Sequence, residues 1–336
     1  MNTDIKVNTS PAMTFAKLNM NGGTLTIDPS GISEENARVR MVSGELKETD
    51  IRAEEYFCDG IGAALGSKAQ SFELKGDAVI NIDYQGSGII HRVIRVAAGV
   101  KASIVEVTRG RAAGTAVNNT SYLIEEGAGL KLIRVQLLDK DTVYADDLRA
   151  VLEKDATFEV NRIDLGGALS YVDSHVRLLG KGADYRACGD YLLNGEQRLD
   201  INMVSEHIAP DTKSDMRSDG ALLDRASKIF RGTLDFKSGC KGAKGSENED
   251  VIMLSPGCGN QSLPIILCGE EDVEGNHGAS VGKISDEILF YLAARGFDEK
   301  AATALIVRSR ISSSASVIPD EGLRSEVERI VDEVLS

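Results

Sequence analysis

The chain has 336 residues, 42% of them hydrophobic and 27% charged, which is enough for a sizeable core in one large domain or two smaller ones. Its net charge of −14 argues against nucleic-acid and membrane partners, because such a field repels phosphate backbones and anionic lipids. The N-terminus lacks a signal-peptide pattern and no apolar run reaches the roughly 20 residues of a membrane span, so we expect a cytoplasmic protein.

Residues 1–69 form a mixed N-terminal segment. A strand is indicated around Thr24–Asp28, and Ile51–Leu65 has helical spacing. From residue 70 to 283 the pattern changes to short alternating runs, each of strand length, separated by Gly, Asp and Asn. Examples of these runs are 78–82, 102–107, 130–138, 156–163 and 170–178.

A turn-like triplet with a small central residue recurs before successive strands. The central residues Val100, Ala128, Ala156 and Ala183 are spaced by 28, 28 and 27 residues, and Cys240 follows about two periods later. A fixed period made of strands predicts a β-solenoid, in which small corner residues let the chain bend sharply. The alternative, a β-sandwich with coincidental spacing, would need more two-residue hairpin signals than this region contains.

The last segment, 284–336, has helical texture. Ser285 is expected to cap a first helix and Asp298 a second, while Ser309–Ser316 is expected to form a hinge. Pro319 fits the first turn of a third helix. The apolar stripe of that third helix consists of Leu323, Val327, Ile330, Val331 and Val334.

The five cysteines form no C-x-x-C pair. An odd number at irregular spacing argues against a disulfide framework and against a self-contained four-cysteine metal site. We expect most of them to be small buried residues. They are Cys58, Cys188, Cys240, Cys258 and Cys268.

One ordered set of motifs resembles the SufB/SufD family. His277-Gly278-Ala279-Ser280 precedes the segment 286–292, DEILFYL, which is followed by Arg295-Gly296 and by the segment 301–307. Upstream, the segments 207–214, 219–222 and 230–234 are also similar to family segments. The resemblance therefore covers residues 200–310.

The resemblance implies a mainly β protein, with a right-handed parallel β-helix (solenoid) core at 70–283 and a C-terminal helical region at 284–336 that docks an ATPase. It implies a scaffold subunit of the SUF iron–sulfur cluster assembly complex, a homodimer or a heterodimer with a SufB-like subunit. A transient iron–sulfur cluster, or iron, is expected at the dimer interface. The chain has no P-loop, so we expect no nucleotide in it and assign ATP hydrolysis to a SufC-like ABC ATPase.

The chain departs from the SufB pattern at its thiols. Glu249 stands where SufB has one cysteine, Thr108 lies near the place of a second, and Gly275 replaces a cysteine of SufD. The chain thus resembles a short SufD-like or ancestral single-type member.

Three residues are candidate ligands of a cluster or of iron: His277, Cys258 and Glu249. An imidazole and a carboxylate are both suitable ligands for iron, and an exposed thiolate is a reactive one. The alternatives are an ordinary histidine, a small corner residue, and a solvated acid in the run 247–250. Glu106 is a weaker candidate inside the β-helix, and we expect His91, His175 and His207 to be structural.

The expected docking residues for the ATPase are Ile288, Leu289, Tyr291, Leu292, Leu305 and Ile306, which could instead pack the two helices together. Two other functions remain open. The chain could be a regulatory adaptor of the ATPase that never binds iron, or the SufD-like half of a heterodimer. A β-helix enzyme acting on carbohydrates is disfavoured, since the chain has no Trp and only 5% aromatic residues to stack on sugar rings.

Overall fold

The computed structural model describes residues 2–12, 17, 20–51, 60–110 and 114–336. From residue 70 on, successive strands alternate between two nine-stranded sheets, and each strand pairs in parallel with the strand two places later in the chain. Before residue 70, one strand of each sheet pairs antiparallel with its neighbour. The predicted mainly β solenoid with helices at the C-terminus is therefore confirmed.

Two strands outside the solenoid, β1 (Thr3–Val7) and β2 (Gly23–Ile27), form an antiparallel hairpin. The first solenoid sheet, sheet I, contains β3 (Ala37–Ser43), β6 (Ala78–Tyr84), β8 (Lys101–Gly110), β10 (Gly129–Leu138), β12 (Thr157–Asp164), β14 (Asp184–Leu193), β16 (Lys213–Leu222), β18 (Lys244–Met253) and β20 (Glu274–Gly282). The second, sheet II, contains β4 (Leu46–Glu48), β5 (Gln70–Leu74), β7 (Gly88–Val96), β9 (Gly114–Ile124), β11 (Thr142–Leu152), β13 (Leu169–Leu178), β15 (Arg198–His207), β17 (Ser227–Phe236) and β19 (Gly259–Cys268).

The described chain also contains four α-helices, numbered in chain order. A one-turn helix, α1 (Ile61–Ala64), packs with the hairpin on the outer face of sheet II, and the predicted helical residues 52–59 lie outside the described residues. The other three are α2 (Asp286–Ala293), α3 (Glu299–Ala315) and α4 (Glu321–Leu335). The apolar faces of α3 and α4 cover the outer face of sheet I.

The helix caps are as predicted, but two details of the helical region are wrong. Ser285 and Asp298 accept hydrogen bonds from the N–H groups of Ile288 and Ala301. The segment 309–316 is no hinge, because α3 continues through it with Ile311 and Ala315 buried against the sheet. Pro319 precedes the first turn of α4, whose N-cap is Asp320.

Small buried residues form one corner of each coil. Ala128, Ala156 and Ala183 are fully buried directly before β10, β12 and β14, as predicted. In the next two coils Thr212 and Ala243 take this place, so the assignment of Cys240 to the corner is wrong. The later coils are longer, and the buried Cys240 lies in the turn that precedes the corner.

Side chains point alternately inward and outward along each strand, so the interior of the solenoid is filled by stacked residues of successive coils. One stack is aromatic: the rings of Tyr122 and Phe158 have centroids 5.5 Å apart, and those of Phe158 and Tyr185 are 5.9 Å apart. Such stacks let a chain with few aromatic residues place them where they bury most area.

A charged network also lies inside the middle coils. Glu106 is 2.6 Å from Arg92 and 3.1 Å from Arg134, and Asp146 is 2.7 Å from Arg134 and also pairs with Arg162. Burial favours the neutral acid, but the two guanidiniums outweigh it and lower the pKa of Glu106 to about 2. The network balances three cations and three anions: Arg92, Arg134, Arg162, Glu106, Asp146 and Asp164.

The two ends of the solenoid differ. At the N-terminal end the outermost strands, β3 and β4, pair antiparallel with β6 and β5, and β3 contains a bulge between Met41 and Ser43. At the C-terminal end β19 and β20 are the outermost strands, and no further strand of the described chain covers them. Every residue of β20 is exposed. We call this surface, formed by the inward-facing side of β19 and β20, the open end.

None of the helices found in the described residues is both long and apolar enough to cross a membrane.

Replacing Asp146 by Asn should destabilise the solenoid, because it leaves two buried guanidiniums without their shared counter-charge. We expect a loss of about 3–5 kcal/mol in the free energy of unfolding, measured by urea denaturation. Asp184→Asn is the matched control, since Asp184 pairs with Arg186 at the surface and should change stability by less than about 1 kcal/mol. Equal effects of the two substitutions would show that the network contributes no more than a surface pair.

Candidate functional site

The three candidate ligands all lie in the last coils of the solenoid. His277 is exposed in the middle of β20, in register with Glu247 of β18. Cys258 directly precedes β19 at a corner, stacked above Ala226, and its thiol is 3.8 Å from the carbonyl oxygen of Asp224. Its half-buried position against the interior core agrees with a small corner residue and leaves part of the thiol accessible.

Glu249 is buried and paired, which contradicts its interpretation as a solvated acid. Its carboxylate accepts a hydrogen bond from the ammonium of Lys228, and both side chains are almost completely buried. Burial lowers the pKa of Lys228 to about 7, while the negative charge of Asp219 opposes that shift by favouring the charged ammonium. Glu249 would have to exchange Lys228 for a metal in order to act as a ligand.

A second buried acid, Glu247, has no such partner. Its side chain points inward, 2% exposed, and neither carboxyl oxygen has a hydrogen-bond partner. Burial raises the pKa of Glu247 to about 8, so the group is mainly a neutral acid at pH 7. The carboxyl reaches across to β17, where a Cβ at Gly232 would lie 2.0 Å from Oε2. Only a glycine therefore leaves room for it.

The open end brings some candidates together and leaves others apart. His277 and Glu249 are on neighbouring strands and offset by two positions, so both point to the same side of sheet I. Cys258 lies at the corner between β18 and β19 and contacts neither of them through a described hydrogen bond. The three do not form a three-ligand metal group in the described part of the chain.

One group of three possible metal ligands does exist among the described residues, on the outer face of sheet I. One ligand atom each of Cys188, Asp190 and Asp219 lies within 4.8 Å of the others. Asp190 and Asp219 continue in register to Asp250, which pairs with Arg310 of α3 at 2.8 Å. Burial, with a smaller contribution from Asp219, raises the pKa of Asp190 to about 6. The group thus joins the sheet to α3 and lies apart from the open end.

The remaining histidines have structural partners. His207 is fully buried, bonds to the hydroxyls of Thr212 and Ser214 at 2.8 and 2.9 Å, and stacks on Phe236. Burial lowers the pKa of His207 to about 4, so its ring is neutral. His91 contacts the Ser67 carbonyl at 2.9 Å, and His175 lies 3.6 Å from Glu206.

Three of the four described cysteines differ from the expected burial. Cys240 is buried, as expected, whereas Cys188 and Cys258 are half-buried and Cys268 is exposed at the end of β19. Cys58 lies outside the described residues.

The predicted docking residues surround an apolar groove between α2 and α3. The groove has a volume of about 490 Å³ and is lined by Ile288, Tyr291, Leu292, Leu305 and Ile306, with Glu287 and Ser309 at its margin. Leu289 is half-buried beside it. No residue of α2 is buried, so the helix leaves most of its apolar surface to solvent.

A sequence model described as the SufBD core domain of SUF system FeS cluster assembly matches residues 81–310 of the chain. The match covers more than half of the chain and includes β7 to β20, α2 and most of α3. The chain belongs to the SufB/SufD family. Membership associates it with iron–sulfur cluster assembly.

Similar proteins with SufBD or SufD descriptions support the family assignment. An iron–sulfur cluster assembly SufBD family protein of Mycobacterium leprae is 28% identical over 254 residues, covering 73% of this chain and 64% of the relative. A Mycobacterium tuberculosis H37Rv counterpart is 26% identical over 271 residues, covering 77% and 68%. SufD of Bacillus subtilis is 26% identical over 176 residues, covering 52% of this chain and 37% of SufD. The chain thus spans about two thirds of the mycobacterial relatives and a smaller part of SufD.

Sequence reasoning missed Glu247, Lys228 and the group around Cys188. The alternation Gly245, Glu247, Glu249, Val251 on β18 was the available signal, since Val251 at the end of it points inward and the acids share its side. Lys228 lies beside Glu249, and Asp190 beside Asp219, because of the number of residues in each coil. The alternation within a single strand does not reveal that number.

The buried Glu247 should make stability fall as pH rises. The folded chain keeps a proton on this acid up to about pH 8, whereas the unfolded chain releases it near its ordinary value of 4.5. The free energy of unfolding should therefore decrease between about pH 4.5 and pH 8, by an amount on the order of a few kcal/mol. Glu247→Gln should lack this component, as measured by urea unfolding at pH 5, 6.5 and 8.

If the free energy of unfolding changed with pH in the same way for the wild type and Glu247→Gln, Glu247 would not be a buried neutral acid. Glu274→Gln, an exposed acid of the neighbouring strand, should keep the wild-type profile.

Proposed function

We propose that the chain is a scaffold subunit of the SUF iron–sulfur cluster assembly complex. In this proposal the open end supports a transient cluster or iron, and the groove between α2 and α3 binds a SufC-type ABC ATPase. The observation that carries the proposal is the position of His277: the histidine of the family motif lies exposed on the last strand of a solenoid that nothing in the described chain covers.

The open end is suited to a site shared between two chains. Its outer strands leave their hydrogen-bonding edges unpaired, and a second subunit that joined them would bring its own ligands next to His277. The proposed ligands from this chain are His277, Cys258 and Glu249, the last after release from Lys228. A carboxylate and an imidazole would hold iron, and the thiol at the corner would hold iron as a thiolate.

The ATPase site rests on the apolar surface of α2. Ile288 and Tyr291 are about half exposed, and the groove that they line has no occupant from the described chain. Exposed apolar surface of this kind is typical of a protein-binding site. ATP-driven movement of the docked subunits would then change how two scaffold chains meet at their open ends.

A second candidate function is a regulatory adaptor of the ATPase that holds no iron, or the SufD-like half of a heterodimer. One observation favours it: the predicted ligands do not form a three-ligand group in the described part of the chain. A partner with SufB thiols would supply what this chain lacks.

Replacing Tyr291 and Leu292 together by Ala should abolish co-purification with the cognate SufC-type ATPase. The substitution removes two residues of the groove, and we expect at least a tenfold loss of affinity. Phe290→Ala is the control, since Phe290 is 77% exposed but does not line the groove. Unchanged ATPase binding of the double variant, with its circular dichroism intact, would rule out this docking surface.

Anaerobic reconstitution with iron and sulfide, with and without the ATPase, tests the cluster site. The wild type should develop a charge-transfer absorption band, and His277→Ala or Cys258→Ser should lose most of it. Cys188→Ser is a control on the outer face of sheet I and should keep the band. A wild type without a band but with intact ATPase binding would favour the adaptor or the heterodimer.

A further inference from the structure

A cavity lies on the outer face of sheet II, between the N-terminal hairpin and α1. Its volume is about 650 Å³, within the range of roughly 300–1,000 Å³ that is typical of pockets for small molecules. One side is lined by β1, by the residues that follow it up to Pro11, and by α1. The other side consists of residues from three neighbouring strands of sheet II: Asp147, Arg149, Asp173, His175, Asn202 and Val204. The cavity lies apart from the open end and from the groove between α2 and α3, so its ligand is independent of the cluster and of the ATPase.

Two amide side chains of this lining have an oxygen without a donor. Asn8 and Asn202 are 1% and 2% exposed, and neither Oδ1 atom has a hydrogen-bond partner in the described chain. A buried acceptor of this kind lowers stability unless a donor reaches it. The two residues are 194 positions apart in the sequence and come from different elements, and the cavity is what they share.

The hydrogen bonds of the two amide nitrogens fix the orientation of both groups. Asn8 Nδ2 donates to the carbonyl and carboxylate oxygens of Asp200, at 2.7 and 2.6 Å. Asn202 Nδ2 donates to the carboxylate of Asp173 at 2.8 Å. Rotating either amide would place its oxygen against another oxygen, which cannot donate. Both groups are therefore acceptors that lack a donor.

The described lining also contains more anions than permanent cations. Its carboxylates are those of Asp4, Asp147 and Asp173, whereas its permanent cations are Lys6 and Arg149. Asp147 and Asp173 are in register on β11 and β13 and share the Arg149 guanidinium, at 2.7 and 2.9 Å. Because both carboxylates are buried, they attract a positive charge more strongly than surface acids do.

A ligand that suits this lining donates hydrogen bonds, carries a positive charge and has an apolar part. An ammonium group has three donors and no acceptor. The apolar surface of the cavity is supplied by Ile5, Val7, Ile61, Ala64 and Val204. We propose that the cavity binds a small organic amine as its ammonium ion. The N–H groups donate to the amide oxygens of Asn8 and Asn202, and the aliphatic part packs against the apolar residues.

Titration calorimetry of the full-length chain with n-butylamine at pH 7.5 tests the site. The amine, like that of Lys, is protonated at this pH, while n-butanol and butyrate carry a neutral and a negative group on chains of similar length. We expect one butylamine to bind per chain, at least tenfold more tightly than butanol, because charge-assisted hydrogen bonds are the stronger ones. Butyrate should not bind. Equal affinities for butylamine and butanol, or no saturable binding of butylamine, would overturn the proposal and leave bridging water as the donor.

Two substitutions remove one amide oxygen each. Asn8 has a φ of +50°, which glycine adopts readily, so Asn8→Gly removes the side chain without backbone strain. Asn202→Leu replaces the amide by an apolar side chain of similar size. Each should weaken butylamine binding at least fivefold. Asn161→Leu is the matched control: the Asn161 amide also donates to a carboxylate, that of Glu159 at 2.8 Å, but on sheet I, and this variant should bind as the wild type does.

Hydrogen exchange of the β1 amides separates a lost ligand contact from a lost hairpin. Butylamine should slow this exchange in the wild type and have little effect in Asn8→Gly and Asn202→Leu. A variant that keeps both wild-type exchange in β1 and wild-type affinity would contradict the site. If Asn8→Gly detaches the hairpin by losing its bonds to Asp200, Asn202→Leu decides, since Asn202 belongs to the solenoid itself.

Discussion

In-register stacking of parallel strands is the constraint on which the rest of this molecule depends. Each inward side chain lies between the side chains at the same position of the coils before and after it. Every buried polar group must therefore find its partner in a neighbouring coil. The middle coils meet this demand with ion pairs, in which Glu106 of β8 contacts both Arg92 of β7 and Arg134 of β10.

The last coil cannot meet the same demand, because no further coil follows it in the described chain. There the interior comes to the surface, and side chains that would be buried elsewhere face solvent. Glu249 still finds Lys228, but Glu247 has only His277 beyond it. The chemistry of the open end thus results from interrupting the stacking that pairs the charged groups of the middle coils, which is how a rigid fold can hold unpaired polar groups in fixed positions.

The solenoid, its repeat and the helix caps could be predicted because they depend on local sequence. Alternation identifies strands, small corner residues set the period, and Ser285 and Asp298 satisfy N–H groups within their own first turn. The continuation of α3 through a serine-rich segment could not be predicted, since the packing of Ile311 on a distant sheet overrides the weak helix propensity of Ser. The same limit applies to the site. His277 was proposed as a site residue from its motif, whereas the burial of Glu247 depends on which coil lies beneath it.

The two ends of the solenoid have consequences for how such chains associate. At the N-terminal end the edge is protected by a bulge, by a three-residue outer strand and by Arg38 and Arg40 on β3, all of which discourage strand addition. The other edge has a nine-residue strand rich in glycine, without such protection. If two chains associate through their unprotected C-terminal edges, the pair exposes only the protected N-terminal edges. Association by strand addition therefore stops at a dimer, whereas a solenoid with two unprotected edges could polymerise into a fibre.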